Sequence, residues 1–298
     1  MDRMEFGTLV SLLRQDRDFT QFQLHEASGI NLAVISQIER GVKKYFEPEL
    51  LIKLANSLHL TTVERREFFL AASGVKQQYI IRQPSAALAT DTVDIVKVLG
   101  KMTQLIEKLN VPAFIMDVYS DVLALNNMAF AFFQPTPEMM LSAHNTPGGF
   151  TTVRVMFGKE LAVRSKITEN WEQYAVGSMR FVRENSLRYR AKPYFQYLMK
   201  AFRDQNEYPL FDRYWKMVSS TEQDREANSD TFSYTHADFG PIIYATATTT
   251  SITPHGELFL NQYLPLDEHT RAVFAELEKK AGLGVLPPLA PWPKKDFL

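Results

Sequence analysis

The segment Thr20–Gly41 constrains the fold of this chain most, because it holds signals for two helix starts and one helix end. Thr20 is a favourable N-cap for a first short helix, and Gly29 can adopt the positive φ that ends it. Asn31 can cap a second helix. The apolar residues of both helices recur at helical spacing, at Phe22, Leu24, Val34, Ile35 and Ile38. The segment therefore predicts two short helices joined by a tight turn.

Further helices are predicted on both sides of this segment, so that residues 1–75 form an all-α domain of five helices. One helix is expected over about Glu5–Gln15, and another begins near Pro48, a residue suited to a first helical turn. The fifth covers about Thr62–Ala72 and ends at Gly74. Because the chain has 298 residues, 45% of them hydrophobic, it has room for a second domain with its own core.

Several residue types at fixed offsets resemble the XRE, or lambda-repressor-like, DNA-binding domain over residues 5 to about 70. The matching positions are Thr20, Gln21, Leu24, Gly29, Ile35, Ser36, Glu39, Arg40, Gly41 and the stretch Leu51–Leu58. His25 departs from the pattern, which usually has Ala there. The resemblance implies a helix-turn-helix whose second helix enters the major groove of a double-stranded DNA operator. It also implies a homodimer on two half-sites one helical turn apart.

The resemblance and the residue chemistry together select nine candidates for DNA contact. They are Gln21, Asn31, Leu32, Ala33, Ser36, Gln37, Arg40, Lys43 and Lys44. Gln37 can bond adenine bidentately, and Leu32 or Ala33 can contact a thymine methyl. The basic side chains after the second helix suit phosphates, which fix position rather than sequence. The alternatives are a solvated helix face for Ser36 and Gln37 and core packing for Leu32, while Glu39 is expected to bond within the domain.

After residue 75 the helical periodicity is lost and a different pattern begins. Residues 76–90 contain Pro84 and predict a linker. A helix capped by Asp91 is then expected to run to about Leu109, with an apolar stripe along one face. The chain is therefore predicted to be an α+β protein of two domains, with the all-α domain first.

Residues 91–270 are predicted to form a PAS-like domain with a five-stranded antiparallel sheet and helices. The expected strands are Ala113–Met116, Val122–Leu125, Thr231–His236, Ile242–Ile252 and Glu257–Leu264. Amphipathic helices are expected over about 159–217. Residues 271–298 are predicted to be a C-terminal tail, irregular from about Gly282 because four prolines follow.

Residues 111–133, with the sequence VPAFIMDVYSDVLALNNMAFAFF, resemble a part of the MmyB-like family. Members of that family are XRE regulators with a C-terminal PAS-like ligand-binding domain. Further matching residues are Arg154, Phe157, Trp171, Glu172, Arg180 and the stretch Phe211–Trp215. The family typically has Trp-Asn where this chain has Leu125 and Asn126. Together with the first resemblance, this one extends over nearly the whole chain.

The second resemblance implies a PAS cavity that takes a long-chain fatty acid such as myristate. Such a ligand needs an apolar sleeve and one cationic or hydrogen-bonding end. The candidates for the sleeve are Phe114, Met116, Leu123, Leu125, Phe130 and Phe133. The candidates for the carboxylate are Arg154, Arg180 and Arg188, with Asn126, Tyr189 and Tyr214 as neutral alternatives.

Other interpretations of these residues remain open at this point. The apolar set can be plain core, and each arginine can form a surface ion pair. The PAS-like domain can then be a dimerisation or protein-interaction module without ligand. It can also bind a planar cofactor such as flavin or haem. As a hypothesis, a ligand shifts the relative placement of two DNA-binding domains through the helix Asp91–Leu109.

Composition excludes several classes of function. The chain has no cysteine, which excludes disulfides, cysteine-ligated zinc, iron–sulfur clusters and a cysteine nucleophile. It has no HExxH, GxSxG, Walker A or GxGxxG pattern, and His236 with Asp238 suits a solvated turn better than a metal pair. We expect no catalysis, no metal, no required cofactor, no membrane span and a cytoplasmic location. Because the net charge is −1, DNA affinity must come from local basic residues.

Overall fold

The computed structural model describes two regions, a helical region (residues 1–75) and a sheet domain (residues 95–293). The described residues are 1–75, 95–137, 139–141, 149–159, 166–167, 171–220, 231–253 and 255–293. The predicted linker 76–90 and the predicted cap Asp91 therefore lie outside the described residues.

The helical region contains the five helices that the sequence predicts. They are α1 Arg3–Gln15, α2 Gln21–Ser28, α3 Leu32–Glu39, α4 Pro48–Ser57 and α5 Thr62–Ser73. Helix α1 begins two residues earlier than expected, because the Asp2 carboxylate accepts a hydrogen bond from the Glu5 backbone N–H and forms a capping box with that residue. Thr61 caps α5 in the same manner, together with Glu64.

Local signals in the segment Thr20–Gly41 produce the two short helices and the turn. Thr20 accepts from the backbone N–H of the third helical residue in a capping box. Gly29 has φ of 64°, the left-handed conformation that ends α2. The Asn31 side chain accepts from the Ala33 N–H at 2.8 Å and so begins α3. These three predictions are confirmed.

The core of the helical region fixes α3 against α1. Its buried side chains include Phe6, Leu9, Val10, Leu13, Leu24, Ile35, Ile38, Leu54, Leu58 and Phe68. At Gly7 of α1, a Cβ would lie 2.4 Å from the Ile38 carbonyl oxygen, so a larger residue there would force the helices apart. Because the apolar face of α3 is packed inward, its opposite face is left to solvent.

The sheet domain is α+β, with the five-stranded antiparallel sheet that the sequence predicts. Its strands are β1 Ala113–Asp117, β2 Val122–Leu125, β3 Thr231–His236, β4 Gly240–Thr253 and β5 Gly256–Pro265, in the order β2-β1-β5-β4-β3. Its helices are α6 Ile95–Glu107, α7 Asn127–Phe133, α8 Thr152–Phe157, α9 Trp171–Ser186, α10 Pro193–Phe202, α11 Phe211–Ser220 and α12 Glu268–Ala281, with a 3₁₀ turn at Leu187–Tyr189. Strands β2 and β3 have the predicted bounds, and β4 and β5 are longer at both ends.

The two faces of the sheet have different partners, because side chains alternate along each strand. Leu258 and Leu260 of β5 pack with residues of α6 on one face. On the other face, the ring of Phe259 lies 5.0 Å from that of Phe181 of α9, and Asn261 follows two residues later. The space between this second face and α9 holds the cavity described below.

The chain after residue 270 differs from the predicted tail. Helix α12 crosses that boundary and packs on the sheet with Val273, Phe274 and Leu277. The Leu286 and Leu289 N–H groups then donate to carbonyls of β2 at 3.0 and 2.9 Å. This segment is irregular apart from an isolated bridge, but it covers the outer edge of β2. The sheet domain therefore extends past residue 270. Its last segment covers the backbone of an edge strand, which would otherwise be free to pair with another chain.

The helical region packs against α9, the 3₁₀ turn and α11 of the sheet domain. Leu187 is fully buried and belongs to the apolar core of the helical region. At the rim, Lys192 contacts Glu5 at 2.5 Å and Lys216 contacts Asp18 at 3.0 Å. Within the part of the chain that the structure describes, no helix combines the length and apolar character needed to cross a membrane.

Candidate functional site

A cavity of about 520 Å³ lies between the sheet and α9. The sheet contributes side chains of β1, β3, β4 and β5, and helices α8 and α9 contribute the rest of the lining. The lining residues are Phe114, Met116, Thr152, Met156, Gln173, Tyr174, Val176, Gly177, Ser178, Arg180, Phe181, Val182, Phe232, Thr246, Thr248, Asn261 and Tyr263. Apolar surface makes up the larger part of this lining, and threonine, serine, amide, tyrosine and arginine side chains contribute the rest. This is the composition expected of a small-molecule pocket.

Arg180 is the cationic group of the cavity. The residue is 8% exposed, and its Nε atom has no hydrogen-bond partner in the described part of the chain. A buried guanidinium loses the hydration that stabilises its charge, and here nothing described at Nε replaces that hydration. Arg180 therefore brings a positive group with an unpaired, desolvated N–H to the wall of the cavity, which favours a negatively charged ligand there.

Asn261 of β5 supplies a second unused donor to the cavity. Its Oδ1 accepts from the Thr248 hydroxyl at 2.8 Å, which fixes the orientation of the amide. Its Nδ2 is buried and has no partner among the described residues. Two donors without acceptors thus line one cavity, a pattern that a ligand with acceptor oxygens would complete.

Aromatic residues close one part of the cavity without adding charge. The rings of Tyr244 and Tyr263 stack with centroids 4.4 Å apart. Burial raises the pKa of Tyr174 and that of Tyr263, so both hydroxyls stay protonated at neutral pH. Since these side chains are neutral, Arg180 is the charged residue among those that line the cavity.

The structure brings three of the predicted ligand residues to the cavity, namely Phe114, Met116 and Arg180. The ring of Phe133 lies 6.5 Å from that of Phe114, behind the lining. Leu123 packs on the opposite face of the sheet, toward α6. Leu125 and Phe130 belong to a separate cluster with Val122, Ala129 and Leu286. These three apolar residues therefore serve the core, which was the alternative interpretation of the apolar set.

Asn126 is engaged by the backbone rather than directed at the cavity. Its Oδ1 accepts from the N–H groups of Ala113 and Ala129, and its Nδ2 donates to the Val111 carbonyl at 2.9 Å. The side chain thus caps α7 and joins it to β1. Because both amide atoms are used in this way, the structure does not place Asn126 at the cavity.

The remaining polar candidates also lie elsewhere. Arg154 is buried on α8 and donates to the Gly149 carbonyl at 3.0 Å. Arg188 faces Glu67 of the helical region at 3.6 Å. The Tyr189 hydroxyl donates to Glu257 at 3.0 Å, and Tyr214 packs in the cluster of α9 and α11. Burial and the Glu257 carboxylate raise the pKa of Tyr189, so that hydroxyl remains a donor.

The sequence prediction did not include Asn261, Thr248, Phe181, Phe232, Tyr174 and Tyr263 of the lining. One signal for Asn261 exists in the sequence, because it interrupts the apolar run of β5 between Phe259 and Tyr263 on the same strand face. The lining residues of α9 had no comparable signal, since only the fold decides which face of that helix meets the sheet.

The outward face of α2 and α3 forms a second candidate surface. Asn31, Leu32, Ala33, Gln37, Arg40 and Lys44 are exposed, and Gln21, Ser36 and Lys43 are partly exposed. Leu32 is 40% exposed, so the alternative of core packing does not apply to it. The Gln21 amide donates to Glu39 at 2.8 Å, and Glu39 also pairs with Arg14 at 2.6 Å. Glu39 therefore bonds within the region, as expected, and holds Gln21 at the start of α2.

Among the described residues, no group of three or more histidine or acidic side chains that could hold a metal ion occurs. The ring of His236 is engaged by backbone groups: Nε2 lies 3.2 Å from the Ala131 carbonyl and Nδ1 accepts from the Asp238 N–H at 3.1 Å. The Asp238 carboxylate instead accepts from Gln134. The two side chains thus form a turn rather than a chelating pair.

Comparison with known families shows what the sheet domain is similar to. Residues 99–277 match the family model described as the MmyB-like transcription regulator ligand binding domain. The match covers more than half of the chain and includes every residue that lines the cavity. No curated protein matches the chain.

Proposed function

This chain belongs to the MmyB-like transcription regulator family, and we propose that it binds a specific DNA operator under the control of a fatty acid. The family match makes it a transcription regulator with a ligand-binding domain. The finer parts of the proposal are the nature of the ligand, the DNA-reading residues and the homodimer. Each has its own support and its own test.

The partnerless Nε of Arg180 carries the ligand proposal. An uncompensated charge in a buried site is costly, and a carboxylate would offset that cost with charge-assisted hydrogen bonds. The Nδ2 group of Asn261 is a further donor for such a head group. Phe114, Met116 and Phe181 line the same cavity and suit an alkyl chain. The volume of about 520 Å³ lies within the range of about 300–1,000 Å³ that is usual for small-molecule pockets.

Extraction and thermal unfolding test the ligand proposal on the full chain. Mass spectrometry of an organic extract from denatured protein is expected to show a co-purified fatty acid. Delipidated protein is expected to unfold at a higher temperature with added myristate, because a ligand that binds the native state alone stabilises it. If no lipid co-purifies and myristate leaves the unfolding temperature unchanged, the cavity does not serve a fatty acid.

The exposed face of α2 and α3 supports the DNA proposal. The Gln37 side chain projects from the exposed face of α3 and can bond adenine, while Arg40 and Lys44 stand where phosphates would flank a helix in the major groove. The contacts with the sheet domain use α1 and α5, so they leave this face uncovered. Since the net charge is −1, these few basic residues must supply the electrostatic part of the affinity.

Selection from random double-stranded DNA tests the operator proposal. A homodimer is expected to enrich two inverted half-sites whose centres lie about 34–36 Å apart, one helical turn of DNA. Enrichment of a single half-site would retain the DNA-binding proposal and remove the homodimer. Recovery of unselected sequence would contradict sequence-specific binding.

A further inference from the structure

A buried cluster of charged residues joins the helical region to the helix that lines the cavity. We call it the ion cluster, and its members are the charged residues Asp16, Glu64, Arg183 and Arg190 together with the neutral Trp215, whose indole N–H contacts Asp16. Asp16 and Glu64 belong to the helical region, at the end of α1 and in the first turn of α5. The other three belong to α9, the segment after the 3₁₀ turn, and α11. Glu64, Arg183 and Arg190 are each 1% exposed.

Each arginine of the ion cluster contacts both carboxylates. Arg183 lies 2.9 Å from Glu64 and 3.1 Å from Asp16. Arg190 lies 3.1 Å from Asp16 and 3.2 Å from Glu64. The Trp215 indole N–H donates to the second oxygen of Asp16 at 3.0 Å, and both guanidinium groups lie over its ring. Two buried positive and two buried negative charges thus balance in this contact, and the half-exposed Arg203 lies 3.6 Å from Asp16 at its edge.

This balance makes the docked arrangement specific. Burial, followed by the neighbouring Arg183, lowers the pKa of Arg190 to about 10, and the two carboxylates oppose that change. The guanidinium therefore stays protonated at neutral pH. Separation of the two regions would have to solvate or re-pair all four charges, because a buried ion without its partner is strongly unfavourable. Apolar contact alone would tolerate sliding of one region on the other, whereas this network does not.

Helix α9 belongs to both the cavity and the ion cluster. Arg180, Phe181 and Val182 line the cavity. The next two residues face the helical region: Arg183 joins the ion cluster, and Glu184 accepts from the Thr61 hydroxyl at 2.9 Å. Less than one helical turn separates the cavity-lining residues of α9 from the residues that face the helical region. A shift or ordering of α9 at the cavity therefore also moves or orders Arg183 and Glu184.

We propose that a ligand in the cavity stabilises the docked arrangement of the helical region through α9 and the ion cluster. This inference rests on the proposed ligand function and adds its regulation. The cavity is already formed in the docked arrangement, so a ligand that contacts Arg180 and Phe181 binds this arrangement and orders the helix that carries Arg183. Docking through α1 and α5 sets the direction in which α3 faces DNA. The ligand thereby selects the spacing of two α3 helices in a dimer.

Ligand binding in the cavity and docking of the helical region must favour each other by the same free energy, because coupling between two sites is reciprocal. A change in the ion cluster is therefore measurable as a change in ligand affinity. Glu64→Gln keeps the side-chain shape but leaves Arg183 and Arg190 with one carboxylate. We expect myristate affinity to fall by about fivefold or more in this variant, the lower end of typical allosteric coupling. The matched control is Glu5→Gln at the rim of the same contact, which is expected to leave the affinity unchanged. Equal affinity in wild type and Glu64→Gln would overturn the proposal.

Hydrogen exchange on the full wild-type chain, with and without myristate, gives a second test of the coupling that needs no variant. Myristate is expected to slow exchange at the end of α1 and the start of α5, although neither segment lines the cavity. Helix α4 serves as an internal reference, because it makes none of the contacts of the ion cluster. Slowing in α1, α4 and α5 alike would indicate a general gain in stability and would contradict a specific route through α9.

A cavity-filling variant separates failure of this inference from failure of the fatty-acid proposal. Gly177 lines the cavity, and a Cβ built there meets nothing within 4 Å. Gly177→Leu is expected to slow exchange at the start of α5 without any ligand, beyond the effect of Gly177→Ala, which controls for helix propensity. If myristate does not bind but Gly177→Leu slows exchange there, the ligand identity is wrong and the coupling holds. If myristate binds but neither Glu64→Gln nor Gly177→Leu shows coupling, the coupling is wrong.

Discussion

The cavity and the ion cluster both bury an arginine of α9, but in opposite electrostatic surroundings. Arg183 contacts two carboxylates of the helical region, whereas Nε of Arg180, three residues earlier, has no partner among the described residues. In the ion cluster each guanidinium contacts two carboxylates, although Nε of Arg190 also lacks a hydrogen-bond partner among the described residues. At the cavity Arg180 has no carboxylate partner among the described residues, and this difference marks the cavity as a place where another molecule contributes to the native state. The same residue type thus stabilises a domain contact in one place and prepares a binding site in the other.

Neutral substitution of the two arginines gives the largest expected difference. Arg183→Met leaves Asp16 and Glu64 with one buried cation, and we expect the free energy of unfolding to fall by about 3–5 kcal/mol. Arg180→Met removes an uncompensated charge, and we expect the ligand-free protein to be as stable as wild type or more stable. Urea unfolding of delipidated protein measures both, with Arg213→Met on the exposed face of α11 expected to change stability by less than about 0.5 kcal/mol.

Similar stability changes in Arg180→Met and Arg183→Met would show that the two arginines have equivalent surroundings. A loss of several kcal/mol in Arg180→Met would mean that its charge is compensated in the native protein without ligand. A neutral Arg183→Met would mean that the ion cluster does not hold the two regions together.

The residues on the exposed face of α3 differ from the buried arginines, because they gain their partners only when DNA binds. Gln37→Ala is expected to cost about 1–3 kcal/mol on the selected operator and to relax preference at one base pair. Lys44→Ala is expected to weaken all sequences alike and to reduce the slope of log K against log salt by about one. Fluorescence anisotropy at several salt concentrations measures both effects.

One control and one comparison of DNA sequences make this prediction specific. Lys53 of α4 pairs with Glu49 at the surface, outside the outward face of α2 and α3. Lys53→Ala is expected to leave DNA affinity unchanged. Equal loss on selected and random DNA for Gln37→Ala would remove that residue from the reading face.

The smallest expected effect concerns the second donor of the cavity. Asn261→Leu removes the unused Nδ2 and frees the Thr248 hydroxyl, so the affinity for myristate is expected to fall by about 1 kcal/mol. Titration calorimetry measures this change, and Thr246→Val on the neighbouring strand β4 is the control, because Thr246 also lines the cavity. An increase in affinity would show that Asn261 does not serve the head group.

Local features of the fold could be predicted from the sequence because their causes are local. Thr20, Gly29 and Asn31 each act within four residues of their own position, and each has the predicted role. The five strands could be predicted from alternation and turn residues. The extent of α12 could not, because the contact of Val273 and Phe274 with the sheet is what shows that this helix belongs to the domain.

The site was less predictable because it depends on contacts between distant residues. Arg154, Arg180 and Arg188 are equivalent as residue types, and their different surroundings follow from the packing of α8, α9 and the 3₁₀ turn. The pairing of Glu64 with Arg183 joins two regions that no local pattern relates. The assignment of Asn126 was open to a better prediction, since an asparagine directly before a helix favours the capping role that it has.

Titration calorimetry with myristate and 1-tetradecanol tests the central claim most directly, namely that the cavity recognises an anionic head group through Arg180. Wild type is expected to bind the acid more tightly than the alcohol by about 10–100-fold, the equivalent of about 1.5–3 kcal/mol for a charge-assisted hydrogen bond. Arg180→Met is expected to lose this preference while its affinity for the alcohol is retained. Equal affinity for acid and alcohol in wild type, or an unchanged preference in Arg180→Met, would contradict the account.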